Sequence, residues 1–540
     1  MREHDVVVVG GGMAGLTAAA YMIRAGLSVE LLEKEEEVGG LVVSFEKDGF
    51  TYDAGIRAIE DSGIVYPMLR QLGLDVEFME SPVSVGFGNE VLRLEGEESL
   101  ASYQALLERQ FPGERRAIAA IVQEIRTVMG YMDVLYGIEN PLFLDLAKNP
   151  AFVYERILPW LFKYMRTMPK VAKLMLPVEE HLARFSGNRA LIDMIAQHFF
   201  KATPAYFALS YWSLYLDYRY PRGGTGRLPA ALELYIRERG GEIATGTAVT
   251  RVDAGGRAVV DARGEVHGYR RLVWAADAKS LYRVVDTASL AAFGGAGRRS
   301  ADGIAAQAAE VADLRGGDSV LTVGLALDLP PSYFARIASA HFFWTPSIEG
   351  LSSIAQGIGQ APSSSDPKAI LAWVRRYLEL TTYEISCPAL RDSALAPEGK
   401  TGLVVSTLMD YDLVKRAKDL GIYAEFKETA TRLIVEILDG GIFPSLSAAV
   451  RDSWCSTPLS IERITGNADG AITGWAFTNP VMPAVHDLPR IARSVRTPIP
   501  CVLQAGQWTF SPSGLPISIL TGKLAADRAA KELARRDARG

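Results

Sequence analysis

Val6-Val7-Val8-Val9-Gly10-Gly11-Gly12-Met13-Ala14-Gly15 is the stretch that decides the fold. The β-branched run ending at Val9 reads as a buried parallel strand. Gly10-x-Gly12-x-x-Gly15 follows at once, residues 13–25 have helix-forming composition, and Gly26 stops the helix. A second strand over 28–32 ends at Glu33, 18 residues after Gly15. Gly10 allows the sharp turn, Gly12 lets a pyrophosphate approach the backbone, and Gly15 lets the helix pack closely on the strand. The helix N-terminus offers free N–H groups and a positive dipole end to phosphate. An acid where Glu33 stands accepts hydrogen bonds from a ribose diol. The unit is therefore expected to be a βαβ dinucleotide site. Glu3, His4 and Asp5 are not a positive leader, and glycines interrupt the apolar run, so the start reads as strand, turn and helix rather than a secretion signal.

Composition agrees with a folded enzyme. The chain has 540 residues, of which 49% are hydrophobic and 22% charged, which excludes an intrinsically disordered chain. A net charge of −6 argues against a general nucleic-acid binder. Cys387, Cys455 and Cys501 are sparse and unpaired in spacing, so a reducing, cytoplasmic compartment is expected and a disulfide framework is not. No stretch reaches ~18 uninterrupted apolar residues, so no spanning helix is expected. The six histidines are scattered and no HExxH or paired-Cys spacing exists, so no metal site is expected.

After Glu33-Lys34 come Gly39-Gly40 and then Phe50-Thr51-Tyr52-Asp53-Ala54-Gly55. Two glycine-permissive bends so close to the ribose acid suggest backbone wrapped around a longer cofactor. From Val6 to Gly55 the chain resembles the flavoprotein family of amine oxidases, phytoene desaturases and carotenoid isomerases, which implies FAD rather than NAD. In that family the paired glycines belong to the motif after the ribose acid, and the DxG loop passes beside the flavin ring. Tyr220-Pro221-Arg222-Gly223-Gly224-Thr225-Gly226-Arg227-Leu228-Pro229 resembles the family's glycine-rich loop before a helix, here over 230–239. The stretches 242–243 and 248–252 read as a strand pair, and the resemblance puts backbone at Val249 against the adenine. Near the C-terminus Val502-Leu503-Gln504-Ala505-Gly506-Gln507-Trp508 reads as strand plus turn, and Gly514-Leu515-Pro516 opens a helix. In the family that helix end points at the flavin pyrimidine edge, where its dipole stabilises the reduced anion.

The resemblance therefore implies cofactor contacts along the first loop from Gly10, Gly12, Met13, Ala14 and Gly15. It adds Glu33, Lys34, Gly40 and Leu41, then Gly55, Ile56 and Val249, and finally Gly506, Gln507, Leu515, Pro516 and Ile517. Two positions depart from the pattern. Leu41 stands where the family has Arg, and Gln507 where it has an acid, though an amide still bonds a hydroxyl. The Gly506-Gln507 pair, Asp53-Ala54-Gly55-Ile56-Arg57, and Pro388-Ala389-Leu390-Arg391-Asp392 with Leu395–Lys400 look most like the retinol-saturase, carotenoid-isomerase and desaturase branch. No Cys stands beside the C-terminal turn, so FAD is expected to be non-covalent.

The expected fold class is α/β: a Rossmann-type, amine-oxidase-like FAD-binding domain from 1–75, 215–290 and 490–540, interleaved with an α+β substrate domain from 76–214 and 291–489. The glycines of 293–299 and the stretch 361–366 read as loops. Residues 319–329 form a β-rich run that resembles a sheet strand over the flavin. Residues 151–177 mix aromatic bulk with Arg156, Lys163, Arg166, Lys170 and Lys173. That pattern fits either a helical cover with its apolar face inward or peripheral contact with an anionic membrane. The aromatic cluster from His198 to Tyr220 reads either as core or as a substrate channel. The substrate half shows few obvious charges, which suits an apolar polyene or isoprenoid lipid. Arg57, Glu60 and Asp61 after the flavin loop, and His198, are the candidates for acid–base work. The resemblance implies hydride transfer with a carbon–carbon bond, as saturation, desaturation or cis–trans isomerisation. Direction and electron partner stay open. An amine or porphyrinogen oxidase, and a flavin-free prenyl carrier of the Rab GDP-dissociation-inhibitor type, are the alternatives.

Overall fold

The valine run becomes the second half of strand Arg2–Val9, where Val6, Val7 and Val8 are fully buried. Both faces are covered, which is why the strand reads as continuously apolar. The structure is a computed structural model that describes residues 2–146, 150–354 and 364–538. Ala361, Pro362 and Ser363 of the expected weak linker lie outside the described residues.

Arg2–Val9 pairs in parallel with Val29–Leu32 on one side and Val266–Trp274 on the other. Glu242–Ala244 extends the sheet beyond Val29–Leu32, and Val502–Gln504 joins Val266–Trp274, both in parallel. Ala258–Asp261 and Val249–Asp253 form an antiparallel ribbon on the far edge. Glu242–Ala244 and Val249–Asp253, read from sequence as a pair, therefore sit toward opposite edges of the sheet. Helix Met13–Arg24 packs on this sheet, and helix Leu515–Asp537 crosses it so closely that a Cβ on Gly522 would overlap the Ala14 carbonyl oxygen.

The second sheet runs Val450–Ser456, Ser319–Leu327, Thr401–Met409, Tyr383–Ser386, His341–Thr345, Val83–Phe87, Glu90–Leu94. Helices Pro367–Leu380 and Tyr423–Gly440 bury Val374, Leu378, Leu433 and Ile434 on its core. A helical layer, including Arg115–Tyr136 and Ala205–Asp217, packs around Val83, Val85 and Phe87 at its other end. The glycine stretch at 293–299 is not a loop: it opens helix Gly294–Ala312. Gly297 belongs there for packing, since a Cβ would overlap the Leu290 carbonyl oxygen.

Candidate cofactor site and the chamber beside it

The first glycine loop is built by three separate constraints. Gly10 has φ +105° and faces the Ala275 carbonyl, where a side chain would not fit. A Cβ on Gly15 would overlap the Gly10 carbonyl oxygen, whereas a Cβ on Gly12 would have no atom within 4 Å. Gly12 is thus not needed for packing; its bare face is open to a ligand. Met13 and Ala14 are buried at the start of a helix that no side chain caps, leaving its N–H groups for a partner from outside the chain. Glu33 accepts from the Gly11 N–H at 2.6 Å and the Glu35 N–H at 2.9 Å, so its carboxylate is fixed beside the loop. The Glu33 carbonyl accepts from the Thr247 N–H at 2.7 Å, which brings the approach to Val249 alongside. Lys34 turns away, its ammonium 2.8 Å from Glu35 and from the Arg463 carbonyl.

The other segments close on the same loop. Gly39 N–H donates to the Gly11 carbonyl at 2.8 Å, and Gly40 packs over the Gly12 Cα. Ile56 N–H reaches the Leu41 carbonyl at 3.2 Å, and a Cβ on Gly55 would overlap that same oxygen. Gly506 lies against Ala14, and its N–H is held by Thr521 Oγ1 at 2.9 Å. Gln507 is half-buried in the turn that follows. Leu515 and Pro516 are buried, Ile517 half-buried, at the start of a second helix that no side chain caps. A side-chain-free glycine face, a fixed carboxylate and two helix starts that no side chain caps are groups that suit FAD.

Asp53 of the DxG loop is a clamp. Its Oδ1 accepts from Ser44 Oγ at 2.7 Å and from the Thr225 N–H and hydroxyl at 2.9 Å each, and its Oδ2 from Tyr220 O–H at 2.7 Å. It thereby fastens the flavin-side loop to the glycine loop 220–226.

Just beyond it lies a group of buried charges, which corrects the expectation of a substrate half with few charges. Arg57, 5% exposed, donates to Glu384 Oε2 at 3.1 Å and to Ser406 Oγ at 2.6 Å. His341 Nε2 lies 3.0 Å from Glu384 Oε1. Arg391 stacks on Tyr220 at 4.6 Å and donates to Ser81 and Ser386. Burial would raise the Glu384 carboxyl, but Arg57, His341 and Arg391 overcome it and pull it to about 2, so it is ionised. Burial keeps His341 neutral by lowering its pKa. Arg57 Nε, Arg391 Nη2 and His341 Nδ1 have no hydrogen-bond partner in the protein, an arrangement that favours a polar ligand atom at this spot. Sequence reasoning found Arg57 and missed Glu384 and His341. The available signal was the arginine itself, set in Ile56-Arg57-Ala58-Ile59, where a buried guanidinium demands a carboxylate from elsewhere.

The other candidates divide. Glu60 is half-buried, and burial with Asp217 nearby pushes its carboxyl up to about 7. It lies within electrostatic reach of Tyr136, Tyr211 and Tyr218. Asp61 is occupied by the Tyr66 and Gly63 N–H groups and serves as a turn cap. His198 contacts the Tyr215 hydroxyl at 3.1 Å and is held down to about 4 by burial, so it is a neutral wall residue. It lines a narrow cavity of about 40 Å³ with Phe87, Tyr103, Trp212, Tyr215 and Phe343. Phe343 stacks on His341 at 5.1 Å, which joins this aromatic cavity to the charged group.

Residues 151–177 contain helix Leu158–Ala172, whose Thr167 and Val171 face inward while Trp160 Nε1 donates to the Val134 carbonyl. Tyr154, Leu158, Leu161, Phe162 and Met165 recur at helical spacing on the outer side, 42–70% exposed. Of the two readings, the apolar-face-inward one fails for this stripe. Among the described residues no helix is long and apolar enough to cross a membrane.

The profile of flavin containing amine oxidoreductases matches residues 13–294. An all-trans-retinol 13,14-reductase of Danio rerio is 22% identical over 94% of this chain and 82% of its own length. A phytoene desaturase (lycopene-forming) of Pantoea ananas is 24% identical over 47% of this chain and 51% of its own. Other retinol reductase relatives are matched over only 42–44% of their own length, so the chain spans less than half of them. The solved cyclohexylamine oxidase of Brevibacterium oxydans shares the fold, with TM-score 0.58 and 13% identity over 99% of this chain and 100% of that one. The matched profile covers more than half of the sequence and the loops fit FAD: the chain belongs to the flavin-containing amine oxidoreductase family.

Proposed function

We propose that the protein is an FAD-dependent oxidoreductase acting on a carbon–carbon bond of an apolar polyene or isoprenoid lipid, with saturation as the favoured direction. The observation that carries this reading is the aromatic cavity of Phe87, Tyr103, Trp212 and Phe343, whose wall residue Phe343 stacks on His341 of the Arg57–Glu384 group. Likeness to a retinol 13,14-reductase over nearly the whole chain supports it. Blocks 1–75, 215–290 and 490–540 hold the cofactor, and 76–214 with 291–489 hold the substrate.

Bound FAD, held non-covalently, supplies a two-electron carrier able to exchange hydride at N5. The chain's own residues do the rest. The aromatic wall binds the hydrocarbon by area and excludes water. The Glu384 carboxylate holds Arg57 in place, and Arg57 polarises the reacting end of the polyene. Glu60, poised near neutral pH, gives the proton that accompanies hydride in a saturation. The cavity is narrow, so the wall side chains around Tyr211 and Phe199 turn aside as the chain enters.

The amine-oxidase alternative is less well supported. A protonated amine calls for an uncompensated carboxylate, whereas Glu384 is already faced by Arg57 and Arg391. A flavin-free carrier would have no use for the open face of Gly12. The outward stripe from Tyr154 to Met165, with Lys163, Arg166 and Lys170 among it, supports peripheral contact with an anionic bilayer from which such a lipid is drawn. The test is anaerobic mixing of the reduced protein with carotenoids, retinoids and unsaturated lipids, read by product mass. A gain of two hydrogens supports saturation; equal mass with shifted retention means isomerisation; no change with any polyene rejects the reading.

A further inference from the structure

At the opposite end of the nucleotide sheet, His267 opens strand Val266–Trp274 just after a tight turn from Asp261. In register it pairs with Arg2, whereas Trp274 pairs with Val9 at the cofactor end. Seven residue steps at ~3.3 Å place it roughly 23 Å from the glycine loop. It is a separate place in the molecule.

The chemistry there is unusual for the end of an inner strand. His267 is 8% exposed, and its Nδ1 lies 3.0 Å from both oxygens of the buried Glu30 carboxylate. That contact puts a proton on Nδ1 and leaves Nε2 as the nitrogen that faces away from Glu30. Nε2 has no hydrogen-bond partner and faces Asp261 Oδ2 at 3.9 Å, beyond hydrogen-bond length. Asp261 is itself 3% exposed, and its other oxygen is taken by the N–H groups of Arg263 and Glu265 at 2.9 and 2.8 Å. The turn therefore aims Oδ2 at the imidazole. Glu265 brings a third ligand atom from the solvent side, and all three lie within 4.8 Å of one another.

We propose that Asp261, Glu265 and His267 form a binding site for a divalent transition-metal cation of the zinc type. His267 Nε2 and Asp261 Oδ2 stand 3.9 Å apart, so a cation ~2.1 Å from each would bond to both. One imidazole with two carboxylates is a borderline donor set suited to Zn²⁺ rather than Mg²⁺. Glu30 on the far ring nitrogen is the outer partner that metal-bound histidines have, fixing the tautomer and strengthening the donor. Three ligands leave positions for water, so the site is open at the surface. Its effect is to brace the turn that joins Ala258–Asp261 to Val266–Trp274.

Zn²⁺ and Mg²⁺ are titrated into the whole chelator-treated protein by calorimetry, with the melting temperature read in parallel. One Zn²⁺ equivalent is expected, with a raised melting temperature and no response to Mg²⁺. Glu265→Ala, which keeps the backbone bonds of the turn and removes only an exposed side chain, should weaken Zn²⁺ binding at least tenfold; Glu30→Gln should weaken it roughly 10- to 100-fold. No binding, or binding unchanged in Glu265→Ala, overturns the assignment. Loss in His4→Ala with Glu265→Ala unaffected also overturns it, since the neighbouring His4–Glu30–Glu242 group would then hold the ion.

Discussion

The two sheets carry their chemistry in opposite ways. The nucleotide sheet presents loops in which glycine, backbone N–H groups and one carboxylate do the binding, all within the first 55 residues and two short later segments. The second sheet presents side chains gathered from far apart: Arg57 meets Glu384 across 327 positions, and Ser406 across 349. A binding surface made of backbone is written into local spacing, while one made of converging side chains exists only once the chain has folded.

The sharpest contrast lies inside the glycine loop. Gly15→Val should prevent folding, because its side chain would overlap the Gly10 carbonyl, whereas Gly12→Val should fold and lose FAD. Flavin absorbance per protein together with circular dichroism separates the two; flavin retention in Gly12→Val would mean that phosphate is held elsewhere. Next in size is Glu384→Gln, which strands a buried guanidinium. Removal of a buried partner costs about 3–5 kcal/mol, and the 31% exposure of Glu384 brings the expected loss nearer ~2 kcal/mol. Denaturant unfolding reads it, and turnover should fall at least tenfold with FAD content unchanged. Unaltered turnover would remove Arg57 and Glu384 from the reaction. Glu33→Ala removes charge-assisted hydrogen bonds worth ~1.5–3 kcal/mol, so FAD retention should weaken roughly 10- to 100-fold in dialysis.

A smaller effect separates the halves by pH. A glutamate in the unfolded chain titrates near ~4.3, and Glu60 in the fold at about 7, so the folded state keeps a proton that the unfolded state has lost. Stability should decline as pH rises from ~4.3 through 7, by about 1 kcal/mol after solvent screening, and turnover should decline above pH 7 as the donor ionises. Glu60→Gln should flatten the stability decline and lower turnover at every pH. A wild-type decline that persists in the variant would assign it to another group. The smallest change is expected from Phe162→Ser with Met165→Ser: vesicles of anionic lipid should float less of the variant, while turnover of detergent-dispersed polyene stays the same. Equal flotation would return the helix to a plain structural role.

What could be read beforehand follows this division. Gly10, Gly12, Gly15 and Glu33 were legible because their spacing along one short stretch of chain is itself the signal, although Gly10 also packs against the distant Ala275. Asp53 was legible as part of a loop, but its clamp on Tyr220 and Thr225 was not, since those partners come from another block. His341 looked like any of six histidines; only its strand pairing beside Glu384 singles it out. The glycines at 293–299 misled because close packing and loop flexibility use the same residue. The period of Tyr154, Leu158, Leu161, Phe162 and Met165 is visible in sequence, but the direction it faces depends on which residues anchor the opposite side.

The most direct measurement of the central claim is an oxygen-free single turnover in which the reduced flavin is followed by its absorption as polyene is added. The account predicts one flavin reoxidised for each polyene that gains two hydrogens. Flavin that stays reduced with every polyene, in an enzyme whose oxidised form is bleached by simple amines, would contradict it.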